Sequence, residues 1–491
     1  MTIMCMGEIW GLSHETIDEL ADELLTFHQE FAPLLTTKTR DVSAHGLTGL
    51  KGSLLMDGTR SYVEVARKIV DPLDDGQNYQ HFMSDSPWES RPLFDEIQAQ
   101  ISQTPGLGGG MLNIDDSGDR CSSTNKAGAQ RQYLGRLGKV DIGQVGVVVS
   151  YYHQGVWALV DAELFLPASW FTKEKKRLWK RYHIPAEREF ASKLEIAQAR
   201  IDHAIDQQLP FDVVGADTWY GRDGAFRDHI AMKGKWYMAS IPGHTDVYLD
   251  APQVGVPTKS SGHRGPVCRT ERIINAVSPI KVSQLAHQVP FETIEVRDGE
   301  RGVLKDEFAF CEVWTVREEE RPDADGKASK RLRPVKELLV MRRESPHKVS
   351  YSLSNASLKM DKRVLAAWKT DRYFVERTIQ DTKTEAGWDD LASPKYRAYM
   401  HTLAIDALAL WFVARVKLKM RTQQASPETV RERLGIRRLP DLSFANVRAL
   451  LRTVFPLKKL TKDEAVEFVT MQLVRRTKST RSRLKGTTLR I

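Results

Sequence analysis

Three acidic side chains, Asp116, Asp217 and Glu376, stand where chemistry could be done. Asp116 lies in Met111-Leu112-Asn113-Ile114-Asp115-Asp116-Ser117-Gly118, an apolar run that meets two carboxylates and then a small-residue turn. Asp217 closes a second run of the same kind, Phe211-Asp212-Val213-Val214-Gly215-Ala216-Asp217. Both read as buried strands that deliver an acid to the edge of a sheet. A carboxylate there must be solvated, paired or bound to metal, because burying it bare is costly. Three such acids brought together would hold divalent cations, two Mg²⁺ per site with Mn²⁺ as substitute. Two such ions activate a water and stabilise a pentavalent phosphorus and its leaving oxygen. Alternation along a strand puts Asp115 and Asp116 on opposite faces, so only one of them can face the metals. Asp116 is the first choice and Asp115 the alternative.

The third acid sits on a helix expected over residues 362–388. At the helical step, Arg372, Glu376, Ile379 and Lys383 fall within about 60° of one another. Arg372 and Lys383 would then flank Glu376 and hold phosphates beside it, the arginine by a two-pronged contact. Charge along the chain points to the same kind of partner. The 491 residues carry a net charge of +8. Residues 1–100 hold 7 Lys and Arg against 17 Asp and Glu, whereas residues 415–491 hold 20 against 6. The last segment, with Arg475, Arg476, Lys478, Arg481, Arg483 and Lys485, has no acid and is expected to be disordered until it meets backbone phosphate. The basic end therefore predicts a polyanion partner, double-stranded DNA.

The elements that must position these groups can be read in order. Ile17, Leu20, Leu24, Phe27 and Phe31 form one face of a helix over residues 14–31, and a second helix is expected near 60–69. Ser86-Pro87-Trp88-Glu89 has the composition of a helix start. Residues 111–240 then alternate. The Asp116 strand is followed by a hairpin of Val145–Tyr151 and Val156–Val160 turning at His153-Gln154-Gly155. A helix over 187–207, the Asp217 strand, a helix near 223–233 and a strand at 235–241 complete the series. Strand, strand, strand, helix, strand, helix, strand is the order of a ribonuclease-H-like core. The glycines of Tyr133–Lys139 lack the spacing of a phosphate loop and read as a turn.

Strand candidates near 290–297, 308–318, 335–343 and 348–353 make a β-rich insertion, its hairpin tip between Glu318 and Arg333. Helices follow at about 396–418, from Ser426-Pro427, at 445–455 and from Thr461 to about Arg476. The fold expected is α/β: a mixed-sheet ribonuclease-H-like catalytic core with a β-rich insertion, flanked by helical N-terminal and C-terminal domains. Its parts are residues 1–105, 106–242, 243–365, 366–420 and 421–491. The four cysteines are scattered without a CxxC pair, so neither a zinc site nor a disulfide framework is expected. The start of the chain lacks a leader pattern, and the apolar helix over 399–416 is interrupted by His401, Asp406 and Arg415. No membrane partner is therefore expected, and the setting expected is a reducing cytoplasm.

Taken together, the chain resembles the DDE transposases of bacterial insertion sequences, especially the insertion-sequence-701 group. Ile114–Gly118 resembles the first-acid strand. Gln132–Lys139 with Gln144–Val147 resembles the segment after it, and Ala216–Gly221 the second-acid turn. Leu338–Arg343 resembles a strand of the family insertion. Arg372–Glu376 through Lys383–Gly387 resembles the third-acid helix, where relatives carry a Tyr-Arg-Glu-Lys signature; here Lys369 stands at the tyrosine position. The resemblance implies Asp116, Asp217 and Glu376 as catalytic metal ligands, cleavage at transposon ends, transfer of the 3′-hydroxyl into target DNA, and a homodimer on paired ends. A ribonuclease-H-like endonuclease without strand transfer and a non-catalytic DNA-binding regulator are the competing readings.

Overall fold

The computed structural model describes residues 7–257, 270–299, 302–322, 328–390, 393–435 and 439–487. Five helices come first: α1 (His14–Phe31), α2 (Ser43–Leu55), α3 (Tyr62–Ile69), α4 (Gln77–Ser84) and α5 (Arg91–Gln103). Leu20, Leu24, Phe27 and Phe31 are the buried stripe of α1, as its spacing predicts. The sequence pattern predicts neither α2 nor α4. Helix α2 carries glycines at 46, 49 and 52, which read as breakers. They are contact points: a Cβ on Gly49 would lie 2.9 Å from the Tyr79 hydroxyl, and one on Gly52 2.9 Å from Val65. The small residues let α3 and α4 pack close, and burial outweighs the poor helix propensity of glycine.

Ser86-Pro87 does not start a helix; α5 begins at Arg91 with Pro92 in its first turn. Trp88 is drawn into the core instead. Its indole stacks on His401 at 3.6 Å between ring centroids, and its Nε1 donates to the Phe82 carbonyl at 3.0 Å. Burial of one large ring overrides the local capping signal.

Next come β1 (Gly110–Arg120), β2 (Gln130–Leu134), β3 (Lys139–His153), β4 (Val156–Leu164), α6 (Lys193–Asp206), β5 (Phe211–Ala216), α7 (Gly224–Met232) and β6 (Trp236–Ile241). Then follow β7 (Glu292–Gly299), β8 (Gly302–Pro322), β9 (Ala328–Ser345) and β10 (Lys348–Ser354). Among the described residues these ten strands form one mixed sheet in the order β7-β8-β9-β10-β6-β5-β1-β3-β2, with β4 also paired to β3. Strand β1 runs antiparallel to β3 and parallel to β5, and β5 runs parallel to β6. The strands expected as an insertion continue this sheet, because β10 pairs with β6 from Tyr351↔Ile241 to Leu353↔Ala239.

Helices α8 (Lys362–Asp371), α9 (Tyr373–Gln380) and α10 (Tyr396–Gln423) return to the sheet, and α11 (Pro427–Leu434), α12 (Phe444–Val454) and α13 (Lys462–Thr487) close the chain. Helix α10 is buried nearly all round, from Tyr396 to Met420. No helix among the described residues is long and apolar enough to cross a membrane. Helix α13 runs on to Thr487, past the end expected at Arg476, so the basic segment is helical rather than irregular.

Glu337 of β9 ties the outer strands to the rest. It accepts from Arg227 Nε of α7 at 2.8 Å, lies 3.0 Å from the Arg317 guanidinium, and accepts from the Tyr237 hydroxyl at 2.6 Å. Burial works to raise this carboxyl, yet the two guanidiniums hold it below its ordinary range. Removing it leaves the buried Arg227 without an anion and leaves the buried Arg317 with Asp228 alone, 3.3 Å away. Glu337→Leu should therefore cost about 3–5 kcal/mol in urea unfolding. Lys336→Ala, which breaks only an exposed pair with Glu312, should cost less than about 1 kcal/mol.

Candidate active site

The two faces of the sheet bury different clusters. Met111 of β1, Val213 of β5 and Met238 of β6 pack with Leu365 and Ala366 of α8. Leu112 and Ile114, with Val214 and Ala216, belong to the large core that includes Ile196 and Ile201 of α6 and Phe226 of α7. Counting by twos along β1 puts Asp115 on the Met111 face, the side of α8 and α9, and Asp116 on the other. The parallel register Ile114↔Ala216 makes Asp115 and Asp217 the next neighbours along their strands.

Side-chain partners agree with this count. Asp115 lies 3.5 Å from the Arg372 guanidinium, at the start of α9. Asp116, expected beside Glu376, faces α6 instead: it accepts from the Lys193 ammonium and from the buried Tyr220 hydroxyl. Asp217 caps the single turn Thr218–Gly221, its Oδ1 accepting from the amides of Trp219 at 2.9 Å and Tyr220 at 3.0 Å. Tyr220 thus joins Asp116 by its hydroxyl to Asp217 by its amide. Burial first, and then the Asp217 charge, push the Asp115 carboxyl up to about 7 against the pull of Arg372. Burial also raises Asp217; its two amide bonds and Arg372 oppose this, and the Asp116 charge adds to it.

Glu376 is half-exposed on α9 and accepts from Arg372 Nη2 at 2.7 Å. Arg372 therefore links the third acid to Asp115, and its Nη1 makes no hydrogen bond. Lys383 is off the Arg372–Glu376 face. Residues Asp381–Ala386 form a wide π-type turn, which changes the angular step assumed for a regular helix. The Lys383 ammonium is buried, bonded to Asp119 of β1 and 3.7 Å from Asp389. At the position of the signature tyrosine, Lys369 is buried and donates to Ser352 at 2.7 Å, and burial brings its amine down to about 7. Arg476 and Lys478 are exposed on α13; the side chains of Arg475, Arg481, Arg483 and Lys485 lie outside the described residues.

Among the described residues no group of three or more His, Cys, Asp or Glu side chains is gathered closely enough to hold a metal ion. The Asp115–Asp217 pair is nonetheless a donor set that suits a hard divalent cation: two half-buried carboxylates whose repulsion Arg372 answers only in part. Sequence reasoning misses Lys193 and Tyr220. Only their contact across the fold with Asp116 marks them, and no spacing rule reports such a contact.

A carboxyl raised from 3.8 to about 7 on folding holds its proton longer in the native chain than in the unfolded one. The contribution of this group to stability is then full below about pH 4 and is lost as pH rises through 7. Asp115→Asn should raise the thermal midpoint above pH 7, and the gain should vanish near pH 4.

Comparison with known proteins gives two findings. The family model described as DDE superfamily endonuclease matches residues 30–303, more than half of the chain. That span holds Asp115, Asp116 and Asp217 and ends before Glu376. A probable transposase for insertion sequence element IS701 of Microchaete diplosiphon is 30% identical over 173 residues, which is 35% of this chain and 41% of that relative. The chain thus spans less than half the length of that relative. A family match over more than half of the residues, across the strands that carry the paired aspartates, makes the chain a member of the DDE superfamily endonucleases.

Proposed function

We propose that the protein is a DNA transposase that cuts at transposon ends and joins the freed 3′-hydroxyl to target DNA, working as a homodimer on paired ends. The observation that carries this reading is the adjacency of Asp115 and Asp217 at the ends of two parallel strands, facing the helix of Glu376. The strand order β4-β3-β1-β5-β6, three antiparallel and then parallel, supports a ribonuclease-H-like core. In this reading Asp115 takes the role that the sequence alone gives to Asp116. Asp115, Asp217 and Glu376 would hold two Mg²⁺ ions, or Mn²⁺, which when bound supply an activated water and stabilise the attacking and leaving oxygens.

The chain's own residues do the rest. Arg372 occupies the gap between Asp115 and Glu376. A DNA phosphate entering there would take over the guanidinium by a two-pronged contact and free Glu376 to turn toward the aspartates. Asp116 is a positioning residue: through Tyr220 it holds the turn whose amides orient Asp217. Lys383 fixes the far end of β1 through Asp119 and so keeps the wide turn after α9 against the sheet.

The test is incubation of the full chain with end DNA of its own element and Mg²⁺. Metal-dependent cuts at the end are expected, together with joining of that end to a second duplex. Asp115→Asn, Asp217→Asn and Glu376→Gln should each lower cutting by about a hundredfold or more while leaving DNA binding intact. Asp116→Asn should lower it less. Cutting without joining would leave an endonuclease. Binding without cutting in either metal would sink the enzymatic reading and leave a regulator. A loss on Asp116→Asn as deep as on Asp217→Asn, with Asp115→Asn still active, would reverse the assignment of the first acid.

A further inference from the structure

Between β4 and α6 the chain carries six cations and one acid within nine residues, Lys173 to Arg181. Lys173, Lys176, Arg177, Lys180 and Arg181 are exposed, and Lys175 is half-buried. The segment is nonetheless firmly built. Trp170, Trp179 and Tyr182 are buried beneath it. Trp170 Nε1 donates to the Ala129 carbonyl at 3.3 Å, and Trp179 Nε1 donates to the Trp170 carbonyl at 2.9 Å. Thr172 Oγ1 accepts from the Lys175 amide. The cations rest on these rings: Lys175 lies 4.6 Å from the Trp170 centroid and Lys176 5.3 Å from that of Trp179.

Cations nearby are paired. Arg188 meets Glu163 at 3.3 Å, and Lys193 meets Asp116. Most ion pairs on the outer strands follow the same pattern, as in Lys305–Glu295 and Lys336–Glu312. Among the described residues none of the six platform cations is in an ion pair. Like charges held this close on a rigid support repel one another, and a polyanion would relieve that repulsion with little ordering cost.

The location selects the polyanion. Ser117 of β1 is level with Gly146 of β3, and Gly146 is level with Leu164, the last residue of β4. The platform that follows β4 therefore leaves the sheet at the end where Asp115 and Asp217 lie. A duplex seated at those acids would run along that end of the sheet.

We propose that Lys173–Arg181 is a phosphate-backbone contact surface for duplex DNA, independent of its base sequence. This rests on the reading of the chain as an enzyme acting on DNA. The probe is a random-sequence duplex, titrated over a range of salt. In the triple variant Lys176→Gln, Arg177→Gln, Lys180→Gln, affinity should fall at least about tenfold at moderate salt. The slope of log affinity against log salt should become shallower by about 0.9 for each phosphate that is no longer neutralised. The thermal midpoint should change little, since the relieved repulsion offsets the loss of the Lys176 contact with the Trp179 ring and no buried side chain is removed. A control triple, Lys305→Gln, Lys336→Gln, Lys233→Gln, removes the same charge from paired surface sites and should leave the slope nearly unchanged.

Equal weakening in the two triples would overturn the proposal, because net charge alone would then explain it. Unchanged affinity and slope in the platform triple would also overturn it. If that triple instead loses binding to phosphatidylserine vesicles while its duplex binding is unchanged, the surface belongs to a membrane and the proposal fails. End cleavage that persists with unchanged duplex binding would refute the platform and leave the enzyme reading standing. Absence of any duplex binding by the unmodified chain would refute both.

Discussion

Two carboxylates that repel each other, half-buried at the ends of adjacent parallel strands, set the terms for the rest of the molecule. Asp115 and Asp217 come together because Ile114 and Ala216 are in register and both strands run the same way. Parallel neighbours are possible only with a crossover, which here passes through β3, β4 and α6 before the chain returns as β5. The crossover places Lys193, and the turn after β5 places Tyr220, behind the pair, on Asp116; the later return of the chain places Arg372 in front of it. The local charge is thus divided between the two faces of one strand, with one cation answering each aspartate of β1.

The outer strands serve the same site. Ile294, Phe308, Leu338 and Val340 belong to the cluster that seats Leu365 and Ala366 of α8. Helix α8 leads directly into Arg372 and then α9, so the strands over 292–354 form part of the floor that fixes where Glu376 begins its turn. The buried Glu337 network joins that floor to α7 and β6. A shift of the outer strands would therefore be felt at the third acid, far along the sequence from the first two.

Much of the arrangement is legible in the sequence. Apolar runs mark β1, β3, β4 and β5, because both faces of these strands are covered, and a three-to-four spacing marks α1, because burial on one face leaves a period in the chain. The caps at Ser426 and Thr461 are local hydrogen bonds between residues three apart, and the sequence shows both partners. Signals of this local kind fail where a distant group competes. The cap at Ser86-Pro87 yields to the burial of Trp88 against His401, and the glycines of α2 are helix contacts rather than breakers.

The sequence by itself determined that acids would stand at strand ends near 116 and 217 and on a helix near 376, since residue type and period are enough for that. It also determined that one of Asp115 and Asp116 would be turned away, because a strand alternates. Which one meets Arg372 and which meets Lys193 was decided only by the tertiary structure. That choice depends on which face of the sheet receives α9 and which receives α6, a matter of packing between elements far apart in the chain. The same holds for Lys383, which a regular helix would set beside Glu376 and which a single wide turn sends to Asp119.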